Sequence, residues 1–230
     1  MRRIYISVAI GVGMAICFSV LVCFFVIPTS ALAEGRPKVL LIPREGYSSD
    51  IELMLNKELR VMSRMIRMAG YKVEVATASG MTIVSPGMDL KPDMRLAKVK
   101  KEEYAGFIMP CMAVGGIPGP PVAPEAVAIA KYAAAEGKPL AAQYGSIIIL
   151  AQAGVLKGKK YAFFSDPLKP TPWRKHTDPR FKDAIYSGRG VVQDGNIITS
   201  GTCPLLERMS GLPDGTANLT QAFMTELKKK

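Results

Sequence analysis

Residues 139–143 are an apolar segment that enters a turn of small residues and continues as an apolar helix over residues 145–154. The preceding Gly137-Lys138-Pro139 ends an earlier helix, because glycine and proline both interrupt helical structure. A buried strand that passes directly into a helix is typical of parallel α/β proteins. In some enzymes such a turn holds a nucleophile at the edge of the sheet, but this turn carries Gln143, an amide that cannot attack a substrate.

The rest of the chain alternates between short apolar segments, which predict strands, and segments with helical spacing of apolar residues. We therefore expect one α/β domain over residues 34–230, with a mostly parallel sheet and helices on both faces. Ser49 and Glu52 have the spacing of a capping box at the start of the first helix. The predicted strands are 38–43, 71–77, 104–110, 139–143 and 159–164, with a hairpin over 190–201, and the predicted helices are 49–69, 125–137, 145–154 and 219–227.

Residues 1–33 form a separate, strongly apolar segment that contains no acidic residue. Two arginines precede an apolar run over residues 4–27, and Ala31-Leu32-Ala33 supplies the small residues that signal peptidase recognises. We expect a signal peptide that is cleaved before Glu34. Residues 4–27 are also long enough to cross a bilayer, so an uncleaved membrane anchor is the alternative. Both alternatives predict an extracytoplasmic domain, periplasmic or secreted, that meets a membrane only through such an anchor.

The chain has a formal net charge of +11, which becomes +9 when the two arginines of residues 1–33 are removed. Its basic residues are spread along the chain without interleaved aromatic residues, so we expect a solvated basic surface and no nucleic-acid partner. One histidine, His176, and two distant cysteines in the mature part provide no metal-ligand spacing. The sequence therefore predicts neither a metal site nor a cofactor.

Several motifs occur in a distinctive order: KVLLIP, AGYKVEVATASG, YAGFIMP, AIAKYAAAEGKPLAAQYGSIIILAQAGVLKGKK and DGNIITSG. In this order they resemble the ThiJ/PfpI family of the class I glutamine amidotransferase-like superfamily, over nearly all of residues 38–227. The resemblance implies a flavodoxin-like three-layer α/β/α sandwich with a mostly parallel sheet. It also implies a homodimer, since members of the family commonly dimerise.

The same resemblance assigns a catalytic cysteine to the turn after the 139–143 strand. Active members commonly read A-I-C-H-G there, whereas this chain reads A-A-Q-Y-G, with Gln143 in place of the cysteine and Tyr144 in place of the histidine. The resemblance thus implies a variant that lacks the nucleophile. The glutamate that the family contributes from its first helix corresponds to Glu58, twelve residues before Gly70, with Glu52 as the other candidate.

The loops that follow the strands should meet at the carboxyl edge of the sheet, where open α/β sheets bind ligands. The turn there presents backbone N–H groups and a helix N-terminus, which favour an anionic or carbonyl ligand. Gln143 could instead only satisfy Glu58 in a pocket that has lost its activity. Ser146 is expected to cap or pack rather than to act with His176 as a nucleophile. The predicted small-ligand pocket contains Glu58, Cys111, Gln143, Tyr144 and Gly145.

Two cysteines are expected at the same edge of the sheet. Cys111 follows the FIMP strand, where the resembling family has a glycine, and Cys203 follows IITSG in a loop that the family folds towards the pocket. In an oxidising compartment the pair could form a disulfide. Closing a loop of about 90 residues would stabilise the fold by roughly 4–5 kcal/mol on the chain-entropy model. Two buried thiols, or a reactive Cys111, are the alternatives.

The resulting hypothesis is an exported ThiJ/PfpI-like domain that is non-catalytic or binds a small ligand. The alternative is an enzyme of hydrolase, isomerase or glyoxalase-like type, in which Cys111 or Glu58 carries the chemistry. A third hypothesis is an interaction or stress-protective protein that acts through a dimer interface.

Overall fold

The structure is a computed structural model, and it describes residues 35–46, 48–112, 121–172 and 174–229. The signal peptide or membrane anchor predicted over residues 1–33 lies outside these ranges. None of the helices within them is both long and apolar enough to cross a bilayer. The contacts group residues 36–230 into one unit.

Strands and helices alternate along the chain, as the sequence pattern predicts. The strands are β1 (Lys38–Leu41), β2 (Lys72–Thr77), β3 (Met94–Arg95), β4 (Tyr104–Met109), β5 (Leu140–Gln143), β6 (Lys160–Tyr161), β7 (Ile185–Tyr186), β8 (Val191–Asp194) and β9 (Ile197–Ser200). Seven of them form one sheet in the order β3-β2-β1-β4-β5-β9-β8. Every neighbouring pair in this sheet is parallel except β8 and β9, which form the predicted hairpin.

Helices cover both faces of the sheet and complete three layers. They are α1, which runs through Ile51–Met54, Leu55–Leu59 and Arg60–Met68, α2 (Pro124–Ala135), α3 (Ile147–Gln152), α4 (Pro204–Ser210) and α5 (Thr216–Leu227). One apolar core joins the sheet to α2 and α3, and a second joins the other face to α1, α4 and α5. In β5, Leu140 and Ala142 belong to the first core and Ala141 to the second, because successive side chains of a strand point to opposite faces. The predicted flavodoxin-like α/β sandwich is confirmed.

Close packing of α5 on the sheet depends on Gly106 in the middle of β4. A Cβ atom there would lie 2.8 Å from Cζ of Phe223 and 2.9 Å from Cδ2 of Leu227. Phe223 is fully buried, and burying a side chain of that size stabilises a fold by about 1.5–3 kcal/mol. The absence of a side chain at Gly106 therefore lets α5 approach β4 closely.

Two local predictions are wrong. The capping box does not form, because the residue before α1 is Asp50 and the Ser49 hydroxyl donates to the Asp50 carboxylate. The predicted strand over 159–164 is reduced to β6, which pairs with β7 outside the main sheet. In the main sheet, the strand that pairs with β5 on the side away from β4 is β9, which belongs to the predicted hairpin.

The sequence patterns also miss three short elements and misplace one boundary. β3 and β7 are only two residues long, and α4 has seven residues, so none of them has room for a clear apolar period. The last helix begins at Thr216, three residues before the predicted start. Of these elements α4 matters most for the site, because it begins directly after Cys203.

Candidate functional site

Glu58 lies on a π-helical turn, Leu55–Leu59, inside α1. Such turns insert one extra residue, shift the side chains that follow, and are frequent at functional sites. The Glu58 side chain is fully buried. Its Oε1 accepts a hydrogen bond from the Cys111 N–H at 2.6 Å, and its Oε2 accepts one from the Met112 N–H at 3.0 Å. Glu52, the other candidate, is exposed on the same helix.

The environment of Glu58 favours its protonated form. Complete burial raises the pKa of the Glu58 carboxyl well above its ordinary value, and the nearby Cys111 sulfur acts in the same direction. The two backbone hydrogen bonds oppose this shift of the pKa but do not reverse it. Glu58 is therefore a buried acid that can hold a proton next to a thiol.

Cys111 and Cys203 are both buried in the structure. The interaction with the Cys111 side chain, together with burial, raises the pKa of the Cys203 thiol above its ordinary value. Gly145 leaves room beside the pair, since a Cβ atom there would lie 3.4 Å from Cys111 Sγ. The Arg44 guanidinium also interacts electrostatically with Cys111, and its Nη1 donates to the Gly145 carbonyl at 3.2 Å.

Gln143 has different partners from those that the sequence suggests. It does not satisfy Glu58, since its Nε2 donates to the Thr202 carbonyl at 2.9 Å and to Thr216 Oγ1 at 2.9 Å. A longer contact of 3.3 Å reaches Asp214 Oδ1. Gln143 is fully buried. Its amide therefore connects β5 to the segment that leads into α5, which is a structural role.

The strained residue of the turn is Tyr144, one position after the residue that the resemblance assigns to the nucleophile. Its φ is 37°, a left-handed value that is uncommon for a large side chain. Burial raises the pKa of the Tyr144 hydroxyl above its ordinary value, so the phenol stays neutral and is a poor nucleophile. Its ring packs against those of Phe163 and Phe164, with centroid distances of 5.4 and 6.2 Å.

Ser146 and His176 do not combine into a catalytic pair. The Ser146 hydroxyl is buried and donates to the Pro110 carbonyl at 2.6 Å, which fits the predicted packing role. His176 is exposed. Neither residue therefore supplies an activated oxygen nucleophile to the turn after β5.

A cavity of about 330 Å³ opens beside Tyr144, between the end of β5 and α4. Most of its wall is apolar, and the Arg174 guanidinium brings a positive charge to it. Nη2 of Arg174 donates to the Lys169 carbonyl at 3.0 Å and also to the Asp166 carbonyl. Its buried Nε has no hydrogen-bond partner among the described residues. The cavity wall includes Tyr144, Phe163, Phe164, Arg174, Leu206 and Met209.

Sequence reasoning misses Arg44 and Arg174 as site residues. Both lie in loops, where neither a helical nor a strand period marks a functional position. A partial signal for Arg44 is its place directly after the first strand, at the edge where ligand-binding loops of α/β sheets meet. For Arg174 the sequence contains no comparable signal, because a Pro-rich loop brings it to the cavity.

The sequence matches a profile of the DJ-1/PfpI family over residues 37–210. An uncharacterized protein of Archaeoglobus fulgidus is 33% identical over 144 residues, which cover 59% of this chain and 75% of that protein. The uncharacterized protein MJ0967 of Methanocaldococcus jannaschii is 30% identical over 147 residues, which cover 62% of this chain and 66% of that protein. This chain thus spans just under two thirds of the length of MJ0967.

Solved structures show the same fold at low sequence identity. A ThiJ/PfpI domain protein from Brachyspira murdochii superposes with a TM-score of 0.60 at 18% identity, covering 85% of this chain and 99% of that one. Drosophila melanogaster DJ-1beta also gives a TM-score of 0.60, at 22% identity, covering 85% of this chain and 92% of that one.

Proposed function

The chain belongs to the DJ-1/PfpI family, and we propose that it is a small-ligand-binding domain without nucleophilic catalysis at the turn after β5. The observation that carries this proposal is that Tyr144, a neutral phenol, occupies the strained turn and forms part of the wall of the adjacent cavity. A turn that keeps its strained backbone without a nucleophile retains the geometry for holding a ligand. The buried Gln143 adds no reactive group to it.

The ligand that best fits this cavity is a small, largely apolar carboxylate. Aromatic and aliphatic side chains form most of the wall, and a volume of about 330 Å³ is at the lower end of the range for small-molecule sites. The Arg174 guanidinium is close enough to lower the pKa of Tyr144, against the larger effect of burial. A carboxylate placed between Arg174 and Tyr144 would receive charge-assisted hydrogen bonds.

Calorimetric titration with phenylacetate and with its neutral amide, phenylacetamide, tests this proposal. We expect phenylacetate to bind more tightly, and Arg174→Gln to weaken its binding by about tenfold or more, as loss of a charge-assisted hydrogen bond would. Binding of phenylacetamide should change little. Arg67→Gln is the matched control, because Arg67 is exposed on α1. Equal affinity for the acid and the amide, or an unchanged phenylacetate affinity in Arg174→Gln, would contradict the proposal.

An enzyme that uses Cys111 and Glu58 is the second candidate. Glu58 accepts a hydrogen bond from the Cys111 backbone N–H, and the Cys111 side chain raises the pKa of Glu58, which supports this alternative. General acid–base catalysis at a thiol nucleophile uses such an acid to transfer a proton. However, Glu58 is fully buried and Cys111 is only 2% exposed. Because a carbonyl substrate needs access to the attacking sulfur, this burial favours the binding function.

We further propose export, with cleavage before Glu34. The charge and apolar pattern of residues 1–33 support it. Intact-mass measurement on the natively expressed protein should give a chain that begins at Glu34, whereas a chain that keeps residues 1–33 would indicate a membrane anchor. The homodimer implied by the family stays a prediction, which light scattering on the same sample measures.

A further inference from the structure

Four basic residues of α1 lie on its exposed side. Arg60, Arg64 and Arg67 have the spacing i, i+4, i+7, which places them in one row, and Lys57 precedes Arg60 by three residues. All four are exposed. At the rise of an α-helix the row is about 15 Å long. These four residues are called the cationic face below. Along the sequence they alternate with apolar residues, and the helix brings them together.

The positive charges of the cationic face have no carboxylate partners within the described part of the chain. None of its residues forms an ion pair there. Arg60 Nη2 donates to the sulfur of Met88 at 3.0 Å, which is a neutral acceptor. The acidic residues of α1 itself are Glu52 in its first turn and the buried Glu58. The exposed side of α1 therefore presents a concentrated positive charge to a partner.

An exposed apolar side chain adjoins the cationic face at the end of α1. Met68 is 76% exposed and lies four residues after Arg64, so the two are neighbours on the helix surface. Cations beside an apolar side chain are typical of helices that lie on anionic membranes, where the cations contact head groups and the apolar group enters the interface. A second copy of the chain fits poorly, because a two-fold interface at this surface would bring the two cationic faces together.

We propose that the cationic face binds the surface of a membrane that contains anionic phospholipids. Each arginine near such a surface strengthens binding by about fivefold. The choice of a membrane rather than a nucleic acid rests on the proposed export, because an exported domain meets lipid head groups and rarely meets nucleic acid. The wall of the cavity beside Tyr144 contains no residue of α1, so this binding is separate from that of the small ligand.

Sedimentation with lipid vesicles tests the proposal on residues 34–230. This part contains the whole main sheet and both apolar cores, so it folds without residues 1–33, whose apolar segment would enter any bilayer. We expect binding to vesicles of equal parts phosphatidylglycerol and phosphatidylcholine and release from them as the salt concentration rises. Vesicles of phosphatidylcholine alone should bind little protein. Equal binding to the two kinds of vesicle would overturn the proposal.

A variant with glutamine in place of all three arginines of the cationic face should bind the anionic vesicles about 100-fold more weakly. Its substitutions are Arg60→Gln, Arg64→Gln and Arg67→Gln. The control variant loses the same charge at exposed lysines elsewhere on the surface and should keep most of the binding. Its substitutions are Lys98→Gln, Lys131→Gln and Lys157→Gln. Equal weakening in the two variants would show that only the net charge matters, and would overturn the assignment to the cationic face.

Met68→Ser distinguishes a membrane from a soluble acidic partner. Loss of the apolar side chain should weaken binding to the anionic vesicles severalfold and leave binding to polyglutamate unchanged, because only a bilayer has an apolar interior. Vesicle binding that does not change in Met68→Ser would instead assign the cationic face to an acidic protein and overturn the proposal. Failure of the export proposal would appear as an unprocessed intact mass, which is a separate measurement from vesicle binding.

Discussion

Replacing Gln143 with glutamate is expected to lower the free energy of unfolding by about 3 kcal/mol at neutral pH, although the two side chains have nearly the same shape. The Gln143 Nε2 donates to the Thr202 carbonyl and to Thr216 Oγ1, each at 2.9 Å, in a fully buried position. A carboxylate has no proton for the Thr202 carbonyl, and its charge would lie close to Asp214. Urea denaturation followed by circular dichroism measures the change.

The matched control for this substitution is Gln221→Glu. Gln221 is exposed on α5, so the same chemical change should alter the free energy of unfolding by no more than about 0.5 kcal/mol. The pH gives a second check. Since burial disfavours a charged carboxylate, the cost of Gln143→Glu should grow as the pH rises above about 4.3 and shrink on acidification. Similar costs for the two variants would show that the amide of Gln143 does not connect β5 to the segment before α5.

The sequence predicts the framework of the fold because its main elements follow periodic patterns of local origin. The strands over 38–43, 71–77, 104–110 and 139–143 and the hairpin are recovered, since each is a short apolar or alternating segment bounded by turn residues. The segment over 159–164 has the same composition and yet forms only a two-residue strand outside the main sheet. Composition therefore identifies a buried segment, but tertiary pairing decides whether it joins the sheet.

The contacts of the candidate site were less predictable, because they join residues that are far apart in sequence. Gln143 and Thr216 are 73 residues apart, and Glu58 and Cys111 are 53 residues apart. Glu58 could still be selected over Glu52, because the resemblance implies a glutamate at a fixed distance from the end of the first helix. The direction of the Gln143 side chain could not be predicted in this way. The strained residue of the turn is Tyr144, one position after Gln143.

Replacing Glu58 with glutamine should also destabilise the fold, by about 1–3 kcal/mol, for the complementary reason. The two oxygens of Glu58 accept from the Cys111 and Met112 N–H groups. A protonated carboxyl keeps a lone pair on each oxygen and can still accept from both N–H groups, whereas the NH₂ group of glutamine cannot accept, so one backbone donor would face another donor in a buried site. Glu52→Gln is the control, because Glu52 is exposed on the same helix and should change the free energy of unfolding by no more than about 0.5 kcal/mol.

The pH dependence of Glu58→Gln should have the opposite sign to that of Gln143→Glu. Burial raises the pKa of Glu58, so above its ordinary pKa the folded protein binds more protons than the unfolded chain. Linkage then requires that the contribution of Glu58 to stability is complete at acid pH and declines as the pH rises towards the raised pKa. Glutamine does not titrate, so the cost of Glu58→Gln should be largest near pH 4 and smaller near pH 8, measured as urea midpoints at both pH values. A cost that grows with pH would instead indicate a carboxylate stabilised by its two backbone hydrogen bonds, with a pKa below its ordinary value.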